Sequence, residues 1–155
     1  MKQITNNQLS KDTRRCIVSV LLSLTLLSSS SITSADDVVA VVRKGTPVAT
    51  PISRIALSSI FSMRLTTWPD GSAIRVFVLP DDNQLHSVFS KQILRLFPHQ
   101  LRIAWDRLVY SGTGQAPVVL NSIDEMATRI ANTPGAIGYL PKDTKDDNLA
   151  VLNVE

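Results

Sequence analysis

Residues Ile123 to Leu140 restrict the chain to a narrow choice of folds. Ile123, Met126, Ala127, Ile130 and Ala131 recur at i, i+3, i+4, i+7 and i+8, the spacing of one apolar helix face. Asn121 or Ser122 supplies the cap. Pro134-Gly135 then breaks the helix. Ala136-Ile137-Gly138-Tyr139-Leu140 follows at once and reads as a buried strand. Helix, tight break and buried strand make half of a β–α–β crossover, and such a unit needs a sheet to lie on.

The preceding residues supply that sheet. Asp37 to Arg43 is short, β-branched and apolar on both faces, as a central strand of an α/β sheet is. Lys44 to Pro51 carries Gly45, Pro47 and Pro51 and predicts a loop. Ser53 caps a helix to about Met63, with Ile52, Ala56 and Ile60 on one side. Trp68-Pro69-Asp70-Gly71-Ser72 is a turn, and Ile74 to Leu79 a second strand. Pro80-Asp81-Asp82-Asn83 opens a helix along which Leu85, Val88, Phe89, Ile93 and Leu96 keep helical spacing. Pro98 ends it and starts another, striped by Leu101, Ala104, Trp105 and Leu108. Ser111 to Pro117 is a loop, Val118 to Leu120 a strand, Lys142 to Asn148 a charged loop and Leu149 to Val154 a terminal strand. The order β-α-β-α-α-β-α-β-β predicts an α/β fold with a mainly parallel sheet flanked by helices.

The N-terminus follows different rules. Lys2, Lys11, Arg14 and Arg15 precede an apolar run from Cys16 to Leu27, and Thr33-Ser34-Ala35 offers small residues for cleavage. Residues 1–35 therefore predict a secretory signal peptide, with one domain over residues 36–155. The run is shorter than the roughly 20 residues a bilayer requires; an uncleaved anchor is the alternative. Four of the 16 Lys and Arg residues leave with this segment, but only one of the 13 Asp and Glu residues. The net charge of +3 thus belongs to the signal, and the remaining chain is balanced. That excludes a reading based on a nucleic-acid backbone, which needs a basic mature surface. The one cysteine leaves as well, so the exported domain rests on an apolar core without a disulfide. The expected location is the periplasm, with no membrane span after cleavage.

Three stretches resemble a known family. They are the Val-rich strand leading through a Pro-containing loop to the Ser53 helix, Trp68-Pro69-Asp70-Gly71 before the Ile74 strand, and Ile123-Asp124-Glu125-Met126 running into Thr133-Pro134-Gly135-Ala136-Ile137-Gly138-Tyr139. Together they resemble one lobe of the periplasmic substrate-binding proteins of phosphate ABC transporters, in a short, single-lobe form. The resemblance implies one lobe of a type II periplasmic binding protein-like fold, transport and an oxyanion ligand. Full-length members hold phosphate between two lobes, and this chain has material for one. In the family an Arg-containing segment runs into Gly-Ser-Gly-Thr after the second strand. Here the corresponding residues are Leu79-Pro80-Asp81-Asp82-Asn83-Gln84-Leu85-His86, and two carboxylates stand where an anion would sit. The phosphate role is not carried over to them.

Other candidates come from the residues alone. Ser111, Gly112, Thr113 and Gly114 could form a nest of backbone N–H groups. With Asn83 and Gln84, expected at the same end of the sheet, they make the candidate ligand site, because open α/β sheets bind at strand carboxyl ends. Asp81 and Asp82 suit a helix start, where acids complement the dipole; a cation site is the alternative. His86 and His99, 13 residues apart with no cysteine to assist, do not make a metal site. Trp68, Trp105 and Tyr139 suit core packing better than a ligand groove. No nucleophile–base pattern or phosphate loop occurs, so no enzyme, cofactor or metal is expected. Two functions lead: an oxyanion-binding module, or a ligand-free module that meets an envelope protein or a second copy through its exposed lobe face; a hydrolase or an envelope-anchored variant stands third.

Overall fold

The structure, a computed structural model, describes residues 37–155. The segment read as an export signal lies outside them. Five strands form one sheet in the order β3-β2-β4-β1-β5: β1 (Val38–Arg43), β2 (Arg75–Val78), β3 (Val118–Val119), β4 (Ala136–Pro141) and β5 (Leu149–Val151). β2 pairs in parallel with β3 and β4, while β1 lies antiparallel between β4 and β5. Four strands therefore share one direction and β1 alone opposes them. The expected mainly parallel α/β sheet is present, with β1 inside it. Val38, Ala40, Val41 and Val42 are all buried, as a strand covered on both faces requires.

The helices are α1 (Arg54–Phe61), α2 (Gln84–Val88) continuing into a π-helical turn (Phe89–Leu94), α3 (Pro98–Tyr110) and α4 (Ile123–Asn132). The Ser53 hydroxyl accepts from the Ala56 N–H at 3.2 Å and the Ser122 hydroxyl from the Glu125 N–H at 3.1 Å. Glu125 reaches back to the Asn121 N–H at 3.0 Å, so α4 begins with donors satisfied from both sides. Ser122→Ala is expected to destabilise the fold by about 1 kcal/mol, read as a lower urea midpoint with an unchanged slope.

Side-chain alternation along β4 separates two layers. Gly138 faces α4, and a Cβ built there would lie 2.6 Å from Ile130 Cδ1; the missing side chain lets α4 approach the sheet. Tyr139 faces the other way, its ring stacked on Phe89 at 4.2 Å, with Phe61 6.1 Å away. Trp105 is fully buried in this second layer and donates its indole N–H to the Phe61 carbonyl at 2.8 Å.

The segment read as one continuous helix from Asn83 to Leu96 is not one. After Val88 it widens into the π turn and ends at Arg95 in the left-handed region, φ 57°. Phe89, Ser90 and Leu94 are buried, a face shifted from the regular 3.6-residue stripe. The Ser90 hydroxyl, inside the core, donates to the His86 carbonyl at 2.7 Å.

Candidate functional site

The carboxyl ends of β2, β3 and β4 face one way, and the residues after β2 are the natural place for a ligand. Asp81 lies there, and α3 brings Arg102 to it. The guanidinium holds both carboxylate oxygens, Nε to Oδ2 at 2.8 Å and Nη2 to Oδ1 at 2.9 Å. The Arg102 bonds hold the Asp81 carboxyl below its usual pKa range. Arg102 also lies over the Trp105 ring, 5.2 Å from its centroid, which fixes the guanidinium plane. Both side chains of the pair stay more than a third exposed.

A buried polar chain lies within electrostatic reach of the pair. The Leu79 N–H donates to the Tyr139 hydroxyl at 2.8 Å, and that hydroxyl lies 2.6 Å from His86 Nδ1. The hydroxyl has one proton, and its acceptor side takes the Leu79 N–H. Donation to Nδ1 gives the hydroxyl proton a buried acceptor, which assigns His86 as the neutral tautomer with its proton on Nε2. His86 is fully buried, and Nε2 has no hydrogen-bond partner. Burial lowers its pKa, with Arg102 acting in the same direction and Asp81 against it. Burial likewise raises the Tyr139 pKa.

The expected ligand residues divide between the two ends of the sheet. Asn83 is at the carboxyl end, but its Oδ1 accepts from the Leu85 N–H at 2.9 Å and the His86 N–H at 3.4 Å. It caps α2, and Gln84 is the first residue of that helix. Ser111 to Gly114 follow α3 and lead into the start of β3, so they belong to the amino end. Expecting them beside Asn83 was wrong for a topological reason: a loop entering a parallel strand lies opposite a loop leaving one. Nor do they form an open nest. The N–H groups of Ser111, Gly112, Thr113 and Gly114 donate to Arg107, Val109, Leu108 and Leu108 carbonyls at 3.1 to 3.3 Å. They close the carboxyl end of α3, where the helix dipole is negative.

Trp68, Trp105 and Tyr139 are buried, as core packing requires. His99 stacks on Phe97 at 5.7 Å, away from the core position of His86. Arg102 is the residue that sequence reasoning missed. It lies 21 positions from Asp81, on a helix whose apolar stripe drew attention to its other face. Its place one residue after the buried Leu101 was the available signal.

Comparison with known proteins then places the fold. Neither a family model nor a curated protein matches the chain. Solved structures do. A phosphate ABC transporter substrate-binding protein with bound phosphate from Clostridium perfringens superposes with a TM-score of 0.61 at 16% identity, over 77% of this chain and 45% of its own. An ABC-type phosphate transport receptor from Vibrio cholerae gives 0.60 at 16% identity, over 83% and 53%. PstS from Borrelia burgdorferi gives 0.59 at 19% identity, over 77% and 47%. The fold is that of a periplasmic binding protein lobe. The chain spans about half the length of each of these receptors. Among the described residues no helix is long and apolar enough to cross a membrane.

Proposed function

We propose that the chain is an exported, periplasmic, non-catalytic binding module of the solute-receptor type, with a small oxyanion such as phosphate as its ligand. The Asp81–Arg102 pair is the observation that carries this reading. An arginine fork offers two parallel N–H groups that fit a carboxylate or a phosphate equally well. At the carboxyl end of β2 that fork already holds an oxyanion, and the oxyanion belongs to the chain. The pair is exposed enough for a solute to reach it. Phosphate must displace Asp81 and approach Asp82, so wild-type affinity at this position is expected to be weak.

Asp81→Asn removes the internal competitor while keeping its shape. Phosphate affinity by isothermal titration is expected to rise at least about tenfold, worth about 1.4 kcal/mol. Arg102→Ala in the same background abolishes the gain. An Asp81→Asn protein that binds phosphate no better than wild type would sink this reading. The same pair would then favour the ligand-free module, its oxyanion position filled from within and its exposed lobe face left for an envelope protein or a second copy.

A further inference from the structure

The amino end of the sheet carries the opposite charge character. β1 leaves the sheet there, while β2 and β4 enter it. Arg43 and Lys44 from the β1 exit, Arg75 as the first residue of β2 and Pro134-Gly135 before β4 line a cleft of about 380 Å³, joined by Thr46 and Ser72. The register brings the two arginines together. Arg75 pairs with Ala136, and Arg43 follows Val42, whose partner is Ile137. Arg43 and Arg75 thus flank Ala136 in one row across the sheet, and residues of one row point to the same face. They stand two strands apart, about 10 Å. Gly135, next to Ala136 in the chain, is part of the lining.

All three cations are exposed. Among the described residues none has a carboxylate within 4.0 Å. The carboxylate in the lining is Asp70, and its Oδ1 is engaged by the Ser72 N–H at 2.9 Å and the Ser72 hydroxyl at 2.7 Å. The Asp146-Asp147 turn approaches from β5, since the Lys44 N–H donates to the Asn148 carbonyl at 2.8 Å. Asp146 Oδ1 accepts from the Asn148 N–H at 2.8 Å and from its side-chain amide at 3.2 Å. The cleft lining still holds three positive charges against one negative, in a domain whose charges balance as a whole.

We infer that this cleft is a second anion site, separate from Arg102, for the phosphate group of a small phosphate monoester. Two guanidinium forks and an ammonium on one cleft suit a dianionic tetrahedral group. The cleft is larger than one phosphate needs and falls in the range of about 300–1,000 Å³ typical of small-molecule sites. The remaining space accommodates the organic part, against Pro47 and Pro134.

Isothermal titration with inorganic phosphate and with glycerol 3-phosphate tests the inference. The wild-type protein is expected to bind both, the monoester more tightly, with affinity falling as salt rises. Arg43→Ala with Arg75→Ala is expected to weaken both at least about tenfold, while the thermal midpoint holds because both side chains are exposed. Lys91→Ala, an exposed cation outside the lining, is expected to leave this binding unchanged, and loss in the double variant with Asp81 and Arg102 intact separates the cleft from the site at Asp81. No binding of either probe up to about 10 mM would overturn the inference. Binding unaffected by the double substitution would overturn it too, and equal affinity for the two probes would remove the monoester.

Discussion

Gly135→Ala is expected to destabilise the fold by about 3 kcal/mol. Two costs combine. Gly135 has φ +71°, where a side chain costs roughly 1–2 kcal/mol. A Cβ at this position also runs into the Ala73 carbonyl oxygen, which is backbone and cannot turn aside. Relief requires moving the turn, and the turn is bonded on both sides. The Gly135 carbonyl accepts from the Trp68 indole N–H at 3.1 Å and from the Arg75 N–H at 3.0 Å. Shifting it loosens the entry of β2 and β4 together. Gly71→Ala isolates the first cost, because Gly71 has φ +85° with nothing within 4 Å of the added Cβ. It is expected to cost about 1 kcal/mol. Urea unfolding of the two variants gives the difference. Equal losses would show that the clash with Ala73 does not matter.

This glycine also marks how far the sequence could be read. The 3.6-residue spacing from Ile123 to Ala131 and the break at Pro134-Gly135 located α4 and β4, because periodicity and turn chemistry are local. The buried run at Val38 located β1 but not its direction. A continuous apolar strand looks the same both ways, and its antiparallel pairing with β4 depends on where the chain goes next. The π turn at Phe89 escaped for a related reason. One extra residue per turn moves Ser90 and Leu94 inward, and Ser90 is polar enough to hide the shift.

The site was less legible than the fold. Asp81 was visible as a helix-start acid, and that role predicts an exposed carboxylate. Its bidentate partner came from another helix, at a separation that no spacing rule covers. His86 drew notice only as no metal ligand, yet it is fully buried against Tyr139, 53 residues away. The basic row at the amino end needed the strand register, because Arg43 and Arg75 meet only once β4 lies between them.

Tyr139→Phe is expected to cost about 3 kcal/mol near neutral pH, since it strands two buried groups at roughly 1–3 kcal/mol each. The Leu79 N–H loses its acceptor and His86 Nδ1 its donor. The same chain sets an acid limit. In the unfolded protein His86 titrates near its ordinary 6.5, and in the fold burial holds it lower. Between those two values the unfolded chain binds a proton that the folded chain refuses, so stability is complete above about pH 6.5 and declines as pH falls. Arg102 reinforces the refusal, Asp81 opposes it, and Trp105 and Tyr139 offer the ring no charge. Asp81 adds a separate loss only below its own ordinary value of 3.8, because its carboxyl is shifted down. Urea unfolding at several values between about pH 8 and pH 5 should therefore show the wild-type protein weakening while His86→Leu stays flat. An equal acid slope in both proteins would place the titrating group elsewhere.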